Sequence, residues 1–511
     1  MKPTSNNGKP GRRKLPSVPV EPKELRAYRD IVPKSILERL SETARRLRGA
    51  RILHINATPH GGGVAELLRG TVPLMRDLGI IADWRIIAGD HEFFRITKTI
   101  HNALQGNPVG LSRHDEEIYE RTVESNAALL DGAYDFIVVH DPQPAALPTF
   151  RSPRSGRWIW RCHIDTSKPN PEVWRFLCRF LSVYDAAVFT LDDFVPTDLP
   201  IERVRTIPVA IDPLSPKNLD VGERLARSVI EWLGLSTEHP MLAQVARFDP
   251  WKDPLGVVRA YREVRRNVPR LQLALVGAMV ADDPEGQKIR DEVVREAADD
   301  PLIHIISSGV GNLEVNAIQR TADVCVQKSL REGFGLVVSE ALWKETPVVA
   351  GRVGGIPLQI EDGVSGFLVS SVEECADRIL RLLEDRALAR RLAKRGRETV
   401  RERFLLPRLL LDELALLADL AGTDQFVRAP EWLDDHDPVC GMALAKSPVR
   451  VSASHEGRSY GFCSETCAGR FHFDARRYIV HAPGAVSAAA SRRVRARAPL
   501  VGTGPGDVES C

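Results

Sequence analysis

The sequence predicts an α/β protein: two consecutive doubly wound units with parallel sheets facing a cleft, followed by a small C-terminal module carrying clustered cysteines. Three observations carry this. Short apolar runs alternate with helical patterns twice, from residue 51 to 207 and again from 241 to 351; such alternation sandwiches a parallel sheet between helices and puts ligands at the carboxyl ends of its strands. Glycine-rich turns follow a strand in both series, at 61–63 and 333–335. Of eight cysteines, only Cys440, Cys463 and Cys467 cluster.

The chain's 511 residues allow two or three full cores. Its 70 basic and 68 acidic residues nearly cancel, so the balance implies neither a nucleic-acid nor a membrane partner. No run approaches the ~18 apolar residues of a membrane span. The N-terminus lacks a signal peptide's apolar core, so a cytoplasmic protein is expected, with homo-oligomerisation compatible with it. The cysteines are too sparse for a disulfide scaffold.

In order along the chain, residues 1–22 are rich in Pro, Lys and Arg and read as a disordered tail. The first unit spans 23–215. Apolar residues from Leu25 to Leu47 recur at helical spacing, with a break near Pro33. The strand RILHIN at 51–56 runs into ATPHGGG and a helix over 64–78 that Gly79 stops. Gly61, Gly62 and Gly63 do not have the G-x-G-x-x-G spacing of a dinucleotide site. A strand, a glycine turn and a helix start nevertheless offer N–H groups to a phosphate or sugar; a plain tight turn is the equal alternative. Further strands are expected at 84–88, 136–140, 158–162, 186–190 and 204–207. Two strand ends are polar: His140, Asp141 and Gln143 in one, Arg161, His163, Asp165 and Lys168 in the other. A histidine beyond a strand is usually structural, but two ends that each carry His and Asp also suit a binding rim.

The second unit spans 216–421, with strands at 241–246, 271–277, 302–306, 322–326 and 346–351 and helices at 372–384, 387–403 and 405–421. The loop RFDPWKDP after its first strand carries Arg247 and Lys252. Such cations usually face solvent; opposite a diphosphate they supply a fork and a point charge for the developing negative charge. Residues 332–340, EGFGLVVSE, form a strand-to-helix turn in which Gly333 and Gly335 allow close backbone approach. Glu332 and Glu340 bracket it with seven residues between them. At a helical rise of about 1.5 Å per residue they do not both flank one glycosidic bond, which favours transfer over hydrolysis.

RFDPWKDP, followed by SLREGFGLVVSEALWKETPVVAGRVGGIPLQI, resembles the retaining GT-B glycosyltransferases of the glycogen-synthase and sucrose-synthase type, whose E-x7-E element matches Glu332 and Glu340. HINATPHGGGVAELL, FFRITKTIHNALQG, HDPQPAAL and WRCHIDTSKPNPEVW narrow the resemblance to the trehalose glycosyltransferring synthases and their trehalose phosphorylase relatives, over roughly residues 25–420. The resemblance implies two Rossmann-like domains, acceptor-binding and donor-binding. Arg247 and Lys252 would hold the donor diphosphate, and Glu340 the ribose. Glu332 and the backbone of Gly333, Phe334 and Gly335 would hold glucose and diphosphate, covered by Gly61, Gly62 and Gly63. His163 would sit by the reacting sugar, with His140, Asp141, Arg161 and Asp165 on the acceptor side. The implied ligands are nucleoside-diphosphate glucose, glucose and trehalose, and transfer would require no cofactor.

After a linker at 422–436, DPVCGM and YGFCSETCAGRF resemble the small YHS metal-binding domain, placed at 437–481; a disordered tail is expected at 482–511. Cys440, Cys463 and Cys467 suit zinc or copper, with His455 and His472 as candidate fourth ligands. A module of about 45 residues has too small a core to be secure without a staple. Three functions therefore compete: a trehalose-forming transferase, a trehalose phosphorylase, and a metal-responsive sugar-binding protein without turnover.

Overall fold

A computed structural model describes residues 14–60, 62–152, 155–277, 284–297, 299–422, 437–444, 451–455, 458–473 and 475–478. The first sheet is built from β1 (Arg51–Asn56), β2 (Ile81–Ile86), β3 (Phe136–His140), β4 (Arg157–Arg161), β5 (Ala186–Phe189) and β6 (Val204–Thr206), all parallel in the order β2-β1-β3-β4-β5-β6. The second contains β7 (Met241–Val245), β8 (Gln272–Val276), β9 (Ile303–Ile306), β10 (Val324–Gln327), β11 (Val348–Gly351) and β12 (Phe367–Val369), parallel in the order β12-β11-β10-β7-β8-β9. β3, β8 and β10 are buried along their whole length, as strands covered by helices on both faces must be.

In each sheet the winding reverses once, between β1 and β3 and between β7 and β10. Strand ends diverge at such a reversal and open a crevice beyond their carboxyl ends. The glycine turn after β1, the RFDPWKDP loop after β7 and the EGFG turn after β10 all lie at these two crevices.

Two expectations change. Residues 14–22, read as tail, lie along β2: Val18 N donates to Trp84 O (2.9 Å) and Ile86 N to Pro16 O (3.0 Å), with Leu15 and Val18 buried. Two apolar residues suffice because the backbone bonds cover an otherwise open sheet edge. Residues 1–13 and 482–511 lie outside the described residues, as does the linker from 423 onward.

The helix Leu406–Ala421, assigned to the second unit, crosses back onto the first. It packs on the helix Lys34–Arg46, and Arg408 Nη2 donates to Pro208 O (2.7 Å). Its leucines are buried around much of its circumference, so it sits between layers and not on a surface. One apolar cluster consequently runs from Val72 in the first unit through Leu410 to Leu342 and Val348 in the second. Among the described residues no helix is long and apolar enough to cross a membrane.

β13 (Val451–His455) and β14 (Arg458–Phe462) form an antiparallel hairpin, followed by the helix Glu465–Phe473. This module has its own small core around Phe462 and Phe471.

Candidate active site

The EGFG turn is fixed from behind. Gly335, with φ 82°, precedes the helix Leu336–Trp343 in a conformation open to glycine. Gly354, on the turn after β11, has φ 52°, and a Cβ there would lie 1.7 Å from Glu332 O. Gly355 N donates to Gly333 O (3.0 Å), so the two turns nest backbone to backbone. Glu332 is nearly buried, and its Oε2 accepts from Lys252 Nζ (2.6 Å) and Ser329 Oγ (3.1 Å). Lys252 ends a short turn at Pro250–Lys252 whose carbonyl accepts from Gln244 Nε2 of β7 (2.7 Å).

The first unit meets this turn directly. Gly62 and Gly63 open the helix Gly62–Asp77, and a Cβ on Gly63 would stand 3.2 Å from Leu336 Cδ1, so the first turns of two helices abut across the cleft. Gly61 lies outside the described residues. A Cβ on Gly333 would stand 3.2 Å from the carbonyl of His163. Arg331 lies over the Trp251 ring (5.4 Å) and reaches Asp165 of the first unit at 3.8 Å. Glu340 is buried; it faces Lys217 (3.4 Å) and accepts from Gln319 Nε2 (3.3 Å). Lys217 also holds Glu66 at 2.7 Å. Burial works against the Lys217 charge, but Glu340 and Glu66 hold its ammonium above the ordinary value. Lys217, a third cation in the cleft, gave no signal in the sequence, since a lone Lys in SPKNLD reads as surface.

The other expected residues differ in burial and partners. Arg161 and His140 are buried, at 2% and 3% exposed. Arg161 Nη1 pairs with Glu413 of the crossing helix (2.7 Å); an unpaired buried guanidinium would be costly, so the charge turns inward. Phe334 turns its ring into the core against Phe404 (centroids 5.5 Å), leaving only its backbone for a ligand. Arg247 is exposed, its guanidinium 3.8 Å from Asp249. Asp141, with φ 63°, accepts from the backbone N–H of His163 (2.8 Å), and burial pushes its carboxyl up to about 7 against that bond. Asp165 turns one carboxylate oxygen back onto Ser167.

Behind His163 three imidazoles stand in a row. His54 Nδ1 meets His140 Nε2 at 3.1 Å, and His140 Nδ1 meets His163 Nε2 at 3.0 Å. Burial, with the Arg161 charge beside it, pushes His54 down to about 3. Burial likewise lowers His140, next to its two histidine neighbours, and His163. All three are neutral at neutral pH. His54 was missed, although a histidine in the apolar strand RILHIN was a visible anomaly.

Residues 54–196 match the family model described as the trehalose synthase N-terminal domain, 230–399 that of glycosyl transferases group 1, and 436–482 that of the YHS domain. The trehalose synthase of Rubrobacter xylanophilus is 49% identical over 407 residues, 78% of this chain and 98% of that protein. The chain belongs to the trehalose synthase family. The Thermococcus litoralis trehalose synthase is 44% identical, with 78% of this chain and 97% of that protein covered. The trehalose phosphorylase of Pleurotus pulmonarius is more distant, at 27% identity over 74% of this chain and 58% of that protein. Among solved structures, a trehalose-6-phosphate synthase, OtsA, superposes with a TM-score of 0.59 at 16% identity, covering 72% of this chain and 99% of its own. That likeness establishes the GT-B fold, and with the family match makes the body a glycosyltransferase.

In the C-terminal module Cys440 Sγ and Cys463 Sγ lie 3.4 Å apart, and Cys463 Sγ and Cys467 Sγ 3.8 Å. Among the described residues the further donor within reach is Asp437, not His455 or His472. Three sulfurs and a carboxylate oxygen within 4.8 Å of one another fit a tetrahedral soft ion such as zinc. Asp437 also accepts the N–H groups of Val439 (2.8 Å), Cys440 (3.3 Å) and Cys463 (2.7 Å), which draws the two cysteine loops together. The sequence did not reveal this role because Asp437 lies distant from Cys463 along the chain.

Proposed function

We propose that the protein moves glucose from a nucleoside-diphosphate glucose to free glucose, forming trehalose with retention at the anomeric carbon. One observation carries this: the turn that follows the Lys252–Glu332 pair in one unit meets the other unit, Gly333 beside the carbonyl of His163 and Leu336 beside the helix start at Gly63. That arrangement sets positive charge on one unit opposite polar positioning groups on the other.

The leaving diphosphate gains charge as the bond to glucose breaks. Lys252 and the N–H groups at the two helix starts stabilise that charge, with Arg247 as the second cation of the same loop. Glu332, released from Lys252, is placed to hold glucose hydroxyls. Glu340 would take the ribose hydroxyls, exchanging them for Lys217. The acceptor hydroxyl attacks the face that the diphosphate leaves, guided by a phosphate oxygen, so protein groups position and neutralise without covalent attachment. Asp165 and His163 belong on the acceptor side. The higher identity and fuller coverage of the synthases support synthesis over phosphorolysis.

The test is incubation of the protein with glucose and, separately, UDP-, ADP- and GDP-glucose, assaying trehalose and nucleoside diphosphate. Trehalose from any donor supports the reading and names the base. Glucose 1-phosphate from trehalose plus phosphate, with no activity on the nucleotide sugars, identifies a phosphorylase. Inactivity in both assays leaves the metal-responsive binding protein. Lys252→Ala should lower kcat by roughly a hundred- to a thousandfold, about 3–4 kcal/mol of transition-state stabilisation.

A further inference from the structure

We propose that His54 is a positioning residue that fixes the tautomer of His163, so that His163 presents a neutral Nδ1–H donor to the sugar cleft. The argument is one of proton counting along the row. Each of the two N···N contacts, at 3.1 and 3.0 Å, needs one donor and one acceptor. Three neutral imidazoles hold three ring protons. Only two arrangements satisfy both contacts: all three protons on Nδ1, or all three on Nε2. An extra proton anywhere in the row would sit beside the Arg161 cation, which acts on all three rings.

The ends of the row choose between the two. His54 Nε2 is sealed from solvent with no hydrogen-bond partner among the described residues. In the Nε2–H arrangement that atom is an orphaned buried donor, and orphaned buried N–H groups are rarer than under-satisfied acceptors. In the Nδ1–H arrangement it is a bare lone pair. The opposite end is the half-buried His163, whose Nε2 already faces His140. The sealed end therefore sets the open one. His54 donates to His140, His140 donates to His163, and His163 donates outward. This assigns His163 as a donor to a sugar or phosphate oxygen and excludes it as the base for the acceptor hydroxyl. A residue buried in mid-strand thus sets the polarity of one on the cleft wall, as tautomer-holding partners do elsewhere.

The tautomer can be read without turnover, so its failure is distinct from failure of the proposed reaction. In protein labelled with 15N-histidine, assigned with His54→Asn and His140→Gln, imidazole 15N shifts should report Nδ1–H on all three rings. An Nε2–H tautomer at His163 overturns the proposal. His54→Leu removes the donor that orders the row. It should lower kcat roughly ten- to hundredfold, as loss of an outer-shell partner does, with KM little changed. His54→Asn, whose amide N–H can stand where Nδ1–H stood, should restore both turnover and the His163 tautomer. Wild-type turnover in folded His54→Leu, or no recovery in folded His54→Asn, would also overturn it. Should both variants fail to fold, the wild-type spectrum alone decides.

Discussion

At the scale of single residues, the site is shaped by where buried charge finds a partner. Arg161 and Glu413 pair in the interior between the first sheet and the crossing helix. Glu413→Ala strands the guanidinium, and should cost about 3–5 kcal/mol in urea unfolding, whereas replacing both residues by leucine should cost far less. The histidine row gives the protein an acid-sensitive interior. An ordinary histidine binds a proton near 6.5, and His54 only near 3, so between those values the unfolded chain holds more protons and stability falls as pH drops. His140 and His163 shift in the same direction. Asp141 opposes them: raised to about 7 from 3.8, it favours the folded state as pH falls through that window. Three groups outweigh one, at about 1.4 kcal/mol per pH unit for each proton. The melting temperature should therefore decline clearly from pH 7 to 5; a flat profile would mean that the row is not neutral.

At the scale of elements, turns position the chemistry and helices supply its field. Gly354 tests the nesting of the two turns. Gly354→Ala puts a methyl group into the carbonyl of Glu332, at a backbone angle that alanine resists. The EGFG turn should shift and activity fall at least as far as in Lys252→Ala, while the distant module stays folded. The element pattern was largely legible in the sequence. β3 runs 136–140 as expected, and the helices Val372–Glu384 and Arg386–Arg403 lie within a residue of expectation. β2 begins three residues earlier than expected because Asp83 interrupts the apolar run between Ala82 and Trp84. β12, only three residues long, left too short a pattern to register. The candidate site was visible in the sequence where its motifs are local, at Lys252, Glu332 and Gly62–Gly63, whose roles belong to the proposed reaction. It was illegible where partners come from afar: Glu413 to Arg161, Lys217 to Glu340.

At the scale of the whole molecule, the C-terminal module is docked against the body. Arg76, near the end of the helix Gly62–Asp77, donates from Nη1 to Cys440 O (2.6 Å) while its Nε donates to Ala82 O (2.7 Å). Arg470 of the module lies 3.8 Å from Glu24. Removing residues 437–511 should leave transfer activity within a few-fold of the full chain; complete loss in a folded truncation would place part of the site in the module. Arg76→Ala should instead free the module, seen as faster proteolysis within 423–436 at unchanged activity. The helix that Arg76 closes is the one that Gly62 and Gly63 open at the cleft.

That abutment of two helix starts, 3.2 Å from a Cβ at Gly63 to Leu336, has an electrostatic reading. Each start carries about half a positive charge, so with nothing bound between them like is set against like. A sugar ester of a diphosphate reverses this, and the freed diphosphate, carrying more negative charge, reverses it further. On the proposed reaction the two domains grip the spent nucleotide harder than the incoming one.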